Sequence, residues 1–193
     1  MPESQTRAFV AVCIPDDVKE AVSGIDLQGL ARSIEVQQLH ITMNFLGYLN
    51  QNRLERAAGT VKGYGHRQFD ISVEGGGVFE SRGKGVAFVG IRKGAAELLE
   101  IHTQLKSLFE RAGIPQEDRA FTPHITFARF MGLDRSRMKA LGGIINGIKA
   151  HSFGSFRCSG LELKRSVLTG SGPVYSALAA AHFTSWLAKR RFS

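Results

Sequence analysis

Cysteine is scarce in this chain: Cys13 and Cys158 are the only two in 193 residues. They lie far apart, each in an apolar, strand-like run, and two plain buried thiols are the expectation. No Cys or His pair has the close spacing of a zinc site, so neither a metal nor a cofactor is expected. Long apolar runs are also missing, and nothing approaches the roughly 20 residues that a membrane-spanning helix requires. The first residues, Met1-Pro2-Glu3-Ser4-Gln5-Thr6, contain no basic segment leading into an apolar one, so no secretory signal is evident. These absences predict a soluble, cytoplasmic protein with no membrane partner, and a monomer is expected.

Acidic residues thin out along the chain. Residues 1–96 carry 11 Lys and Arg against 10 Asp and Glu, whereas residues 97–193 carry 14 against 7. Past Asp118 only Asp134 and Glu162 remain, so the net charge of +8 sits almost wholly in the second half. One account is solubility plus a basic tail, Lys189-Arg190-Arg191. The other is a surface that attracts phosphates. What is plentiful is apolar: 43% of residues, including 13 Phe, enough to bury a core in one domain of two small lobes.

Two short stretches stand out against that background. His40-Ile41-Thr42-Met43-Asn44-Phe45-Leu46 and His124-Ile125-Thr126-Phe127-Ala128-Arg129-Phe130 each set a His-x-Thr in an apolar run, 84 residues apart. A lone His-x-Thr arises by chance; two in matching surroundings, one per half of the chain, do not read that way. Alternation along a strand places His40, Thr42 and Asn44 on one face and Ile41, Met43 and Phe45 on the other. His124 and Thr126 repeat this over Ile125 and Phe127, with Met43 and Phe127 read as core. If the polar faces meet, two imidazoles converge on one cleft.

The rest of the chain punctuates in step. Arg7 to Ile14 is predicted as a strand closed by Pro15. A helix follows with Asp16 and Asp17 in its first turn, running through Val18, Val22 and Ile25 to about Gly29. A polar helix, Asn52 to Lys62, and an alternating strand, Phe69 to Glu74, come next, the strand broken by Gly75-Gly76-Gly77. Gly85 to Ile91 is a buried strand. Glu97 to Arg111 has one apolar stripe of Leu98, Ile101, Leu105, Leu108 and Phe109. A helix from Asp134 to Ile145, strands at His151–Phe156, Gly160–Val167 and Pro173–Ala181, and a Phe183-to-Arg190 segment complete the series. Helix, His-x-Thr strand, helix, strand, strand thus occurs twice, over about 16–91 and 97–181. A two-lobed antiparallel α+β fold with pseudo-twofold symmetry, outer helices and a central cleft is predicted over residues 1–193.

Two histidines at one cleft fit general acid–base chemistry, because imidazole titrates near pH 6.5 and can serve as neutral base or protonated acid. Phosphodiester cleavage needs both roles, and a hydroxyl two residues on lies on the same face to donate to a phosphate oxygen. A single histidine on a half-buried strand is ordinarily satisfied by the backbone. His66, His102, His151 and His182 have no matching threonine and take that reading.

These residues resemble the two-histidine phosphoesterase superfamily, specifically the RNA 2′,3′-cyclic phosphodiesterases of the ThpR/LigT type, also called 2′-5′ RNA ligases. Arg7-x-Phe9 with Ile14-Pro15 resembles the first strand, and Leu39 to Gly47 the first motif. Gly77 to Gly83 with Val86 to Gly90 resembles the middle hairpin, and Phe121 to Arg129 the second motif. Leu161 to Ser166 followed by Gly172-Pro173-Val174-Tyr175 resembles the end. The resemblance implies a metal-free enzyme that opens an RNA-terminal 2′,3′-cyclic phosphate to a 2′-phosphate, reversible as 2′-5′ joining. It implies that His40 protonates the leaving 3′ oxygen, that His124 activates water, and that Thr42 and Thr126 hold the phosphate. It further implies that Arg129 adds charge there and that Phe9 packs against the terminal base. Strict alternation puts Arg129 on the face opposite His124, so a twist, a bulge or a reach round the strand end is required. Asn44 stands where the resemblance implies a basic or other polar residue, and its role stays open.

Two alternatives stand beside this reading. One is a non-catalytic nucleotide-binding module with the same cleft. The other is a cyclic phosphodiesterase acting on a small nucleotide, such as cyclic-phosphate ADP-ribose, or on 2′-5′ oligoadenylate.

Overall fold

The computed structural model describes residues 5–170 and 172–185. Strand β1 (Thr6–Cys13) buries Ala8, Val10 and Val12 on one face. Pro15 ends it and starts α1 (Asp16–Ser23), whose acidic first turn complements the helix N-terminus. This helix is shorter than the sequence predicts. It stops at Gly24, and Ile25 belongs to the turn that follows, where Gln28 and Gly29 take positive φ values of 50° and 69°.

After β2 (Arg32–Ser33) and a 3₁₀ turn (Val36–Gln38) come β3 (His40–Leu49) and α2 (Gln51–Lys62). Asn50 caps α2 by accepting the Arg53 N–H at 3.0 Å. Then follow β4 (Phe69–Ser81), β5 (Lys84–Ile91), α3 (Ala95–Arg111) and β6 (His124–Met131). The chain continues with α4 (Arg135–Gly147), capped by Asp134 on the Arg137 N–H at 2.8 Å, and with β7 (Ser152–Cys158), β8 (Gly160–Thr169) and β9 (Gly172–His182).

The predicted break at Gly75-Gly76-Gly77 is absent, because β4 runs through all three glycines. Gly75, at φ 71°, forms a bulge, and pairing with β5 resumes at Gly76. Gly77 lets β4 pass Phe88, since a Cβ there would stand 2.5 Å from that ring. The glycines therefore shape the strand rather than end it.

Eight strands pair antiparallel in the order β7-β4-β5-β6-β3-β1-β8-β9, with β2 alongside β6. The order is symmetric about its middle, where β3 and β6 touch through a single ladder pair, Ile41 opposite Ile125. Two four-stranded halves thus diverge from a narrow join, with the two His-x-Thr strands innermost. The halves of the sheet do not follow the halves of the chain. β4 and β5 come after the first motif but pair on the side of β6, and β8 and β9 return to β1.

The four helices among the described residues pack outside: α1 beside β7, α2 on β8 and β9, α3 on β3 and α4 on β4. Leu98, Ile101, Leu105 and Phe109 of α3 are fully buried, as their stripe predicts. Each such side chain contributes about 1.5–3 kcal/mol by leaving water. Cys158 is buried, but Cys13 is exposed, which corrects the expectation of two buried thiols: it ends β1 on the face away from Val12. No helix among the described residues is long and apolar enough to cross a membrane. The basic tail and most of the Phe183-to-Arg190 segment lie outside the described residues.

Candidate active site

Both motif strands carry the same irregularity. In the ladder between β1 and β3, Ala11 opposes Thr42 and Val10 opposes Asn44, so Met43 is an extra residue. In the ladder between β5 and β6, Phe88 opposes Thr126 and Ala87 opposes Ala128, so Phe127 is extra in the same place. Each bulge leaves two successive residues buried, Met43-Asn44 and Phe127-Ala128, and shifts alternation by one step. The residues that follow, Phe45 and Arg129, therefore turn to the side that carries the histidines. This explains Arg129, which lines the cleft although regular alternation points it away. It also explains Asn44, which is nearly fully buried and donates to Gln116 Oε1 at 3.1 Å.

The two rings are tethered alike. His40 Nδ1 donates to the carbonyl of Gln38 at 2.6 Å and His124 Nδ1 to that of Thr122 at 2.7 Å, in each case two residues earlier. A carbonyl can only accept, so the proton sits on Nδ1 of the neutral ring and Nε2 is left with its lone pair. His40 Nε2 lies 3.0 Å from Thr42 Oγ1. Each imidazole also leans on two aromatic rings. His40 stands 5.0 Å from Phe9 and 5.4 Å from Tyr175, and His124 stands 5.1 Å from Phe79 and 5.2 Å from Phe88.

These walls take both rings out of water, which disfavours their charged forms. Burial pushes His40 down to about 4, against the pull of the Gln38 carbonyl and assisted by the charges of Lys164, His124 and Arg129. Burial also lowers His124, again opposed by its carbonyl partner. That His40 responds to charge on His124 and Arg129 reflects one shared space.

That space is a cleft of about 770 Å³ lined by all six residues singled out in the sequence: Phe9, His40, Thr42, His124, Thr126 and Arg129. Arg129 has no carboxylate partner among the described residues, so its charge is available to an anion. Phe9 is in the wall but only 4% exposed, packed against His40, Tyr175 and Phe45. It offers a base little surface; its contact is with the imidazole.

Several lining residues escape a reading of the motifs. Tyr175 comes from β9, Phe79 from β4, and Arg7 from β1, where it donates to Ser166 Oγ at 3.0 Å, while Phe88 of β5 backs His124 from behind. Only strand pairing across long separations brings them to the histidines. His102 is satisfied by the backbone as expected, donating from Nδ1 to the Met43 carbonyl at 2.7 Å, yet it also lines the cleft, stacked on Phe121 at 4.2 Å.

Comparisons with known proteins agree with this architecture. An RNA 2′,3′-cyclic phosphodiesterase of Methanothermobacter thermautotrophicus is 31% identical over 180 residues, covering 89% of this chain and 96% of that protein. One of Archaeoglobus fulgidus is 29% identical over 177 residues, covering 89% and 97%. The crystal structure of Escherichia coli LigT with 3′-AMP superposes with a TM-score of 0.76 at 19% identity, over 94% of this chain and 99% of that one, and shows the same fold. A Thermus thermophilus structure does so at 0.68 and 27% identity, over 90% and 96%. The family model described as the 2′-5′ RNA ligase superfamily matches residues 14–163, and this chain belongs to that superfamily.

Proposed function

We propose that this protein hydrolyses RNA-terminal 2′,3′-cyclic phosphates to 2′-phosphates by paired-histidine acid–base catalysis. The observation that carries the proposal is the matched tether: two imidazoles in one cleft, each with Nδ1 held by a carbonyl and Nε2 left to exchange a proton. A site that only bound nucleotides has no use for a matched acid and base. The names of the curated relatives support the same substrate class.

In this scheme His124 Nε2 takes a proton from water as the water oxygen attacks phosphorus, and His40 Nε2 delivers a proton to the departing 3′ oxygen. Arg129, with the hydroxyls of Thr42 and Thr126, holds the non-bridging oxygens. His40 is neutral near pH 7 in the protein alone, where its Nε2 accepts the Thr42 hydroxyl. A phosphodiester monoanion beside it favours the imidazolium. Once protonated, Nε2 no longer takes the Thr42 proton, and that hydroxyl is released to the phosphate. With a 5′-hydroxyl in place of water, His124 takes the proton of that hydroxyl and His40 again protonates the departing 3′ oxygen, and the same groups join a cyclic-phosphate end to a second strand through a 2′-5′ linkage. Both histidines come from one chain, which supports a monomeric working unit, and we place the reaction in the cytoplasm.

The test is product identification. An oligonucleotide ending in a 2′,3′-cyclic phosphate should yield a 2′-phosphate, with activity that survives a chelator. A 3′-phosphate, or no turnover, overturns the proposal.

A further inference from the structure

The first motif strand continues past the catalytic cleft with two large aromatic residues in the open. Phe45 is 55% exposed and Tyr48 is 60% exposed. Isolated exposed apolar side chains are ordinary; these two are set apart by how the strand presents them. A second register shift in β3 leaves Leu46 without a ladder partner between Phe45, opposite Phe9, and Gly47, opposite Ala8. Leu46 is buried, and after this shift Tyr48 opposes Arg7, whose side chain lines the cleft. Two bulges in one strand thus bring Phe45 and then Tyr48 to the cleft side. Beginning at His40, the rings run outward through Phe9 and Phe45, the last two 6.3 Å apart, towards Tyr48.

The matching position in β6 is occupied by Arg129. The cleft is therefore polar: a phosphate-seeking cation on the β6 side, stacking surface on the β3 side. Arg7 stands beside that surface as a second cation. Alternating flat rings and cations is the arrangement that binds single-stranded nucleic acid without reading its sequence.

We propose that Phe45 and Tyr48 form a stacking platform for the nucleotides on the 5′ side of the cyclic phosphate, so that the protein prefers a single-stranded RNA end to a mononucleotide. This rests on the functional reading above and names which part of an RNA substrate lies where. The occupant follows from continuity with the cleft and from the adjacent positive charge, which suits a phosphate backbone better than a neutral apolar partner.

The experiment measures binding separately from turnover. Titrate a fluorescent single-stranded oligonucleotide ending in a 2′-phosphate, with the corresponding mononucleotide 2′-phosphate as competitor, against wild type and variants. The wild type should bind the oligonucleotide more tightly. Phe45→Ala and Tyr48→Ala should each weaken that binding roughly 5- to 10-fold, and Phe45→Trp and Tyr48→Trp should retain it. Unchanged oligonucleotide affinity in both alanine variants overturns the platform, as does a loss that tryptophan also produces. A concentration-dependent dimer abolished by Tyr48→Ala also overturns it, by assigning the face to a second copy. If the binding preference depends on these rings while wild type turns over no cyclic phosphate, the platform stands and the hydrolase reading falls.

Discussion

The two sides of the cleft share one local plan but put it to different ends. On the β3 side His40 is backed by Phe9 and Tyr175, has Thr42 Oγ1 on its Nε2, and is followed across the bulge by Phe45. On the β6 side His124 is backed by Phe79 and Phe88, which stack on each other at 4.3 Å, and is followed across the matching bulge by Arg129. Shared features, namely the tether, the aromatic walls and the bulge, hold each ring in a fixed direction with its Nδ1 bound to the backbone. The features that differ, Phe45 against Arg129, are the ones on which the proposed orientation of the substrate rests. The strand order makes the frame symmetric, and single residues at equivalent positions break the symmetry.

Replacing the groups the sides have in common should have the largest effect. His40→Ala and His124→Ala are each expected to lower kcat about 10²- to 10⁴-fold while a 2′-phosphorylated nucleotide still binds; unchanged turnover in either one removes the acid–base pair. Next comes the group the sides do not share. Arg129→Ala should lower kcat/KM roughly 10- to 100-fold, the scale of a hydrogen bond to a charged group, and more than Phe45→Ala does on a mononucleotide. Equal losses from the two would mean the cleft is not polarised as described.

The difference in environment also shows in the protein without substrate. His40 has its folded pKa depressed to about 4 from an ordinary 6.5. Its contribution to stability is therefore intact above about pH 6.5 and lost as pH falls towards 4, by up to about 3 kcal/mol. Urea unfolding at both ends of that window should show the loss, and His40→Gln should reduce it. The smallest effect is on the pH profile. Because both rings are depressed, kcat/KM should peak below pH 6.5, with the kcat optimum displaced upward by the bound phosphate. A kcat/KM maximum on the alkaline side contradicts the shifts.

Much of this was legible in the sequence. Apolar periodicity located the strands and helices, and the repeated His-x-Thr identified His40, Thr42, His124 and Thr126 before any geometry was known. Alternation failed where a residue was inserted into the ladder, at Met43 and Phe127, because a bulge is a property of pairing and leaves no mark in either strand alone. Arg129 and Phe45 were misdirected by that rule. The glycine run at Gly75 reads as a terminator for a related reason: its use, passing Phe88 and stepping out of register with β5, involves partners distant in the chain. Tyr175, Phe79 and Phe88 fall within stretches that carry the family resemblance, but nothing local assigns them to the histidines, since only the symmetric strand order sets them there. Cys13 looked buried because its neighbours are apolar, but it sits where β1 runs out.

The central claim is that both imidazoles attend a single phosphorus atom. The most direct measurement follows the ring nitrogens of ¹⁵N-histidine-labelled protein by NMR during titration with a 2′-phosphorylated nucleotide. The expected result is that His40 and His124 Nε2 respond together along one saturation curve, with the pKa of His40 rising from its low starting value as the phosphate binds. A response confined to one ring, or two rings saturating at different ligand concentrations, contradicts the account.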